Sequence, residues 1–235
     1  MITISPGHYG KGTGANGLLD EGNENINVAK RLTEILRDSG ITTNYIQDTV
    51  NKTQSKNIPW LIAEHNKTSR LIDVSIHFNS STGTQNKGMG TETLIYNGKN
   101  TDTAESINNA ICAAGGFRNR GVKIRTDLGL LKGTNKPCYL IEVCFVNDSV
   151  DVALYKRDFE KICQAIATEL AKAVGKTLKP STSPTVEDKQ RKRAINLIKN
   201  AVSTKVFTSP HDNVDKYTDD ELFDYVLTYA ERLIK

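Results

Sequence analysis

Along residues 1–175 the apolar positions switch repeatedly between the period of a strand and the period of a helix. Ile2 to Ser5 is a short β-like run. Ile26, Val28, Leu32, Ile35 and Leu36 then form a largely helical stripe, and Gly40 is placed to stop it. "TTNYIQ" (Thr42 to Gln47) predicts the next strand, and "IPWLIAEHN" a helix entered through Pro59. "LIDVSIHF" (Leu71 to Phe78) and "TETLIY" (Thr91 to Tyr96) carry the β-branched and aromatic residues of strands. "TAESINNAICAAGG" reads as a helix closed by Gly115 and Gly116. "YLIEVCF" (Tyr139 to Phe145) is nearly continuous in apolar residues, as a central strand covered on both faces should be. A long helix follows, with Phe159, Ile162, Ile166 and Leu170 on one side and Gly175 just past its end. This alternation predicts an α/β fold: one mixed, mostly parallel twisted sheet flanked by helices.

The pattern changes at "KPSTSPT" (Lys179 to Thr185), where two prolines among Ser and Thr make a polar, partly stiffened linker. Beyond it the signals are helical only. "VEDKQRKRAINLIKNAV" carries Ala194, Ile195, Leu197, Ile198 and Val202. "TDDELFDYVLTYAERLIK" opens with Thr218 and Glu221 in capping-box spacing and is expected to bury Leu222, Phe223, Val226, Leu227, Ala230 and Leu233. The expected organisation is a domain over residues 1–175, a linker over 176–184 and a small all-α C-terminal module over 185–235. About fifty residues with so few apolar groups make a marginal domain, one that works tethered.

Composition narrows the classes. The 235 residues carry a mild net charge of +4, and no apolar run is long enough to span a bilayer. Neither a nucleic-acid nor a membrane partner is expected. "MITISPGHYG" shows no basic region followed by an apolar stretch, so the expected location is the cytoplasm. Cys112, Cys138, Cys144 and Cys163 have no C-x-x-C spacing and are expected as free thiols, mostly buried.

Two features compete for the chemistry. Gly12, Gly14 and Gly17 spell G-x-G-x-x-G, but they lie well past the first strand and ahead of the helical periodicity. A dinucleotide loop needs its first glycine directly after the strand and the helix inside the motif. A flexible, exposed loop is the better reading. His8 instead follows Pro6-Gly7 at the C-terminal end of the first strand, the edge where α/β sheets build sites. Of the other histidines, His65 on a polar helix end and His211 in a turn read as solvated. His77 sits near the end of a buried strand, on one face with Asp73 and Ser75. Glu142 stands inside an apolar strand, where an ionised carboxylate costs several kcal/mol unless partnered. A proton-transfer role beside a metal fits it better than a structural ion pair. Two imidazoles and one carboxylate make a catalytic zinc set, with the third ligand among Asp20, Glu21 and Glu24.

These segments together resemble a known family, the zinc-dependent N-acetylmuramoyl-L-alanine amidases of the type-3 class, and most closely the phage endolysins among them. The resemblance rests on "SPGHYG", "GLLDEGNENINVAKRLTEIL", "VSIHFN", "GMGTETLIY", "NRGVKIRTDLGLL" and "YLIEVCFVND", in family order over residues 1–175. It implies that His8, Glu21 and His77 hold one zinc ion, with Glu24 one turn further as second choice, and that Glu142 is the catalytic acid and base. It implies cleavage of the amide between N-acetylmuramic acid and L-alanine in bacterial peptidoglycan by zinc-activated water. Asn119 and Arg120 in "NRGVK" are candidates to line the glycopeptide groove, or else belong to a solvated turn. One departure is the glycine-rich insertion between His8 and Glu21, which bears on the loop's shape.

Three other readings stand beside this one. They are a bacterial autolysin of the same activity, a non-catalytic wall-binding protein with the same fold, and a nicotinamide-dependent enzyme. The missing export signal favours an endolysin that waits in the host cytoplasm until the membrane is permeabilised. Residues 185–235 are then expected to bind the wall, through a secondary cell-wall polymer, or to dimerise through exposed Tyr217, Tyr225 and Tyr229.

Overall fold

In the computed structural model, residues 1–179, 186–204 and 213–234 are described. Most of the predicted linker, with Pro180 and Pro184, and His211 lie outside them. The chain divides into two units, Met1–Pro180 and Ser181–Lys235.

The first unit is built on a six-stranded sheet in the order β2-β1-β3-β6-β4-β5. Its strands are β1 (Ile2–Pro6), β2 (Thr43–Tyr45), β3 (Ile72–Asn79), β4 (Thr91–Ile95), β5 (Asn119–Ile124) and β6 (Cys138–Phe145). All neighbours run parallel except β4 and β6, so β4 and β5 point against the other four. The mixed, mostly parallel sheet is the one expected.

Helices α1 (Glu21–Asp38), α3 (Thr101–Gly115) and α5 (Ser149–Ala173) cover one face, and α2 (Gln54–Asn66) with the short α4 (Gly129–Gly133) covers the other. On the first face Val28, Leu32, Leu36, Ile107, Ile111, Ile162, Ile166 and Leu170 pack against Ile4, Val74, Ile76, Ile141 and Val143. Each side chain of this size contributes roughly 1.5–3 kcal/mol by leaving water. On the second face Leu61, Leu130 and Leu131 meet Leu94 and Leu140 in a smaller cluster. β6 contributes alternate residues to both clusters, which explains its nearly unbroken apolar run.

Three local readings are corrected. Helix α2 begins at Gln54, not at Pro59, which lies inside it. The polar first turn hides the start, and Pro59 falls just beyond that turn, where its missing N–H removes one intrahelical bond. Strand β5 and helix α4 leave no periodic signal in the sequence. β5 is a half-exposed edge strand without alternation, and α4 has five residues, too few to show a period. The tail from Lys176 belongs partly to this unit: Leu178 packs on the main core and Lys179 N–H donates to Ser39 Oγ at 3.2 Å. All four cysteines are free, three of them buried.

The second unit contains α6 (Val186–Ser203) and α7 (Asp219–Ile234). Ile198, Ala201, Val214 and Leu222 form its core. The capping box closes as expected: Thr218 N–H donates to Glu221 Oε2 at 2.7 Å and Glu221 N–H to Thr218 Oγ1 at 3.3 Å. The predicted core of α7 is only partly right, because Phe223, Leu227 and Ala230 are exposed. The described residues of this unit, two helices and a turn, offer too little partner surface to cover the whole stripe. Tyr217 and Tyr225, expected exposed, are half-buried and stack with centroids 5.3 Å apart. The side chains of Tyr229 and Leu233 lie outside the described residues. Among the described residues no helix is long and apolar enough to cross a membrane.

Candidate functional site

Strand β1 lies between β2 and β3, so the strand order reverses there, and in open α/β sheets the crevice beyond such a point is where ligands bind. His8 follows the end of β1 and His77 sits near the end of neighbouring β3. Gly7 makes their approach possible: its N–H donates to Ile76 O at 2.8 Å, and a Cβ there would stand 1.9 Å from the His77 ring. The two imidazoles meet edge to face with centroids 5.0 Å apart.

Glu21, the first residue of α1, enters between them. His8 Nε2 and His77 Nδ1 each lie 3.1 Å from its Oε1. Phe78 N–H donates to the same oxygen at 3.0 Å, and Ala15 N–H donates to Oε2 at 2.6 Å. Burial opposes the charge on Glu21, but the bonds from His77 and His8 outweigh it and hold the carboxyl well below its usual range. Burial likewise pushes His77 down, against the pull of Glu21. One ligand atom from each of the three residues lies within 4.8 Å of the others. Two imidazole nitrogens and one ionised oxygen, converged and partly open, fit a zinc ion of the His₂Glu type.

The neighbouring acids face elsewhere. Asp20 caps α1, accepting from Asn23 N–H at 2.9 Å, and its other oxygen accepts from Gly12 N–H at 2.8 Å. Glu24 accepts from Tyr155 Oη at 2.7 Å. The glycine loop is exposed but pinned rather than loose. Gly14 (φ +80°) presses on the cluster, where a Cβ would stand 2.5 Å from Glu21 Oε2.

Glu142 pairs in register with His77 on β3 and with Glu92 on β4. Its Oε2 is buried without a hydrogen-bond partner among the described residues. Burial, then the nearby charges of Glu21 and Glu92, push its pKa up to about 8, against the pull of Arg125.

Glu92 was not singled out from the sequence, although it is a carboxylate inside a buried strand just as Glu142 is. It accepts from Asn79 Nδ2 and from Arg120 Nε, both at 2.8 Å. The Arg120 guanidinium lies 4.8 Å above the Phe145 ring. Asn119 spends its amide inside the chain, accepting from Gly121 N–H at 2.7 Å and donating to Asn109 Oδ1 at 2.7 Å. His65 is the clear correction. It is fully buried, with Nδ1 2.7 Å from Asp73 Oδ1 and Nε2 3.0 Å from Ser5 Oγ.

A convergent His₂Glu set at a sheet's switch point, beside an unpartnered glutamate, has the donor chemistry of metal-dependent hydrolases. The chain belongs to the N-acetylmuramoyl-L-alanine amidase family, whose pattern matches residues 2–176. It is 33% identical over 178 residues to an uncharacterized protein of Clostridium perfringens, covering 74% of this chain and 51% of that one. A second uncharacterized protein of that organism, of 38.4 kDa, is 30% identical over 219 residues, 90% of this chain and 63% of its own length. The chain therefore spans between about half and two thirds of these relatives. Among solved structures it is similar to the catalytic domain of the CD27L endolysin targeting Clostridia Difficile. That likeness has a TM-score of 0.66 and 25% identity, and covers 76% of this chain and 98% of the other.

Proposed function

We propose that the protein is a peptidoglycan hydrolase that cleaves the amide between the lactyl group of N-acetylmuramic acid and L-alanine. The observation that carries this reading is the convergence of His8, Glu21 and His77 beside Glu142, in a chain of the amidase family. One zinc ion held by those three residues would supply a Lewis acid that makes water nucleophilic near neutral pH and polarises an amide carbonyl. Glu142 would take the proton of the attacking water at its unpartnered oxygen. An amide nitrogen leaves poorly unless protonated, so the same carboxyl would then deliver that proton to the departing amine. Taking the first proton needs Glu142 ionised, a state that the positive charge of a bound zinc would favour, and burial then favours the protonated form that delivers the proton to the amine. Arg120, fixed by Glu92 and Phe145, and the edge strand at Asn119 would line the groove for the glycopeptide.

Likeness to the endolysin catalytic domain supports a role in host lysis, with release to the wall after membrane permeabilisation. The second unit would tether the enzyme to the wall and raise its local concentration there.

The test is digestion of purified peptidoglycan by the wild type and by Glu142→Gln, with and without a chelator, scoring new amino termini and new reducing sugars separately. New N-terminal alanine without reducing ends is expected. The rate should fall about 10²- to 10⁴-fold in the variant with its metal content unchanged. New reducing ends would make it a glycosidase, and no product at all would favour a non-catalytic wall binder.

A further inference from the structure

A second concave site lies at the opposite edge of the sheet, where β4 ends and β6 begins. A cavity of about 360 Å³ opens there between residues 95–100 and 131–138. Three lysines line it from separate segments: Lys99 in the turn after β4, Lys132 in α4 and Lys136 in the loop entering β6. All three are exposed, and none of their ammonium groups has an ion pair among the described residues. No Asp or Glu lines the cavity. Among the described residues four other lysines form ion pairs, Lys67 with Glu64, Lys161 with Asp158, Lys172 with Glu169 and Lys199 with Asp215, and what sets the three apart is that they share one concavity with no acid in it.

Like charges gathered in a concavity repel one another, and the low-dielectric walls focus their field outward onto anions. Ammonium groups act as separate point charges and suit phosphate, whereas planar carboxylate recognition favours the guanidinium fork, which is missing from this lining. Charges drawn from three segments of an open pocket match an anion repeated along a chain better than one compact dianion. The amides of Asn100 and Asn135 add neutral donors, and the exposed ring of Tyr96 adds an apolar surface for a carbon backbone. Four residues of strand, about 13 Å, separate Cys138 at the cavity from Glu142. Both sites can therefore be filled at once.

We propose that the Lys99–Lys132–Lys136 pocket binds a phosphodiester polymer of the cell wall, a polyol-phosphate chain, while the other edge of the sheet works on the glycopeptide. The choice of a wall polymer rests on the function proposed above. The test reads binding alone, so failed hydrolysis would leave it standing. Poly(glycerol phosphate) free of peptidoglycan would be titrated into the full-length chain at two salt concentrations. The K99Q/K132Q/K136Q variant and a K67Q/K172Q control would be run beside it, with thermal melts to establish folding.

Wild-type binding that weakens with salt is expected, about tenfold or more weaker in the triple variant and unchanged in the control. K136E alone should weaken binding by a smaller step, which guards against a folding failure of the triple variant. Equal binding by wild type and triple variant overturns the proposal. So does wild-type binding of inorganic phosphate, or of a single-stranded oligonucleotide of equal charge, as tight as that of the polymer.

Discussion

Two histidine–carboxylate groups share one face of the same sheet, and they differ in what each leaves unpaired. The deeper one joins His65 on α2, Ser5 on β1 and Asp73 on β3. Both ring nitrogens are used, and Arg70 donates to both carboxylate oxygens of Asp73 at 2.8 and 2.7 Å. His65 and Asp73 have no exposed side-chain surface. The group at the sheet edge joins His8, His77 and Glu21, and there the two histidine side chains keep 16% of their surface exposed. Two nitrogens are aimed at a single oxygen, and an unpartnered glutamate stands in register beside them. A saturated group can only hold elements together. Convergent donors that remain accessible can take a ligand.

The largest effects should come from swapping these roles. His77→Ala is expected to abolish stoichiometric metal binding, read by elemental analysis, and the proposed hydrolysis with it, while the chain stays folded. His65→Ala should do the reverse, removing the ring's bonds to Asp73 and Ser5 and leaving a cavity while the Arg70–Asp73 pair stays intact. A stability loss of about 2–4 kcal/mol in denaturant unfolding is expected, with normal metal content in the molecules that fold. If His65→Ala lost metal without losing stability, the distinction between the two groups would fail.

A smaller effect should follow from Gly7→Ala. The new methyl would meet the His77 ring, so metal affinity measured by competition with a chelator should drop about 10- to 100-fold, without touching a ligand atom. Unchanged affinity would mean that the ring has room to shift.

The smallest effect is a pH dependence of the metal-free chain. Glu142 titrates at about 8 when folded, against an ordinary 4.5. Between those values the folded chain holds a proton that the unfolded chain has released, so stability falls as pH rises through that window. Partial exposure reduces the effect to on the order of 1–2 kcal/mol. Glu142→Gln should remove the slope and melt higher than wild type at pH 8, and equal melting curves there would count against the burial of this carboxyl.

Much of this was legible locally. Apolar periodicity placed five of the six strands and the long helices, because each element must turn a continuous apolar face to the core. Glu142 stood out because an apolar strand is costly company for a charge, and Glu92 was missed although the same argument applies to it. His65 could not be read, since its partners lie 60 residues before it on β1 and 8 after it on β3, and nothing local says that they meet. The choice among Asp20, Glu21 and Glu24 was open on chemistry alone, for all three flank one helix start. Only packing aims Glu21 at the histidines while Asp20 caps the helix and Glu24 turns to Tyr155.

The sequence by itself determined the alternation of strands and helices, the helical character of the second unit and the residue types available for chemistry. Periodicity and side-chain polarity are properties of neighbours along the chain. The tertiary structure alone decided which histidine is saturated and which is open, and gathered three lysines from separate segments around one cavity. Those outcomes depend on strand order and register, which bring together residues that no local pattern connects.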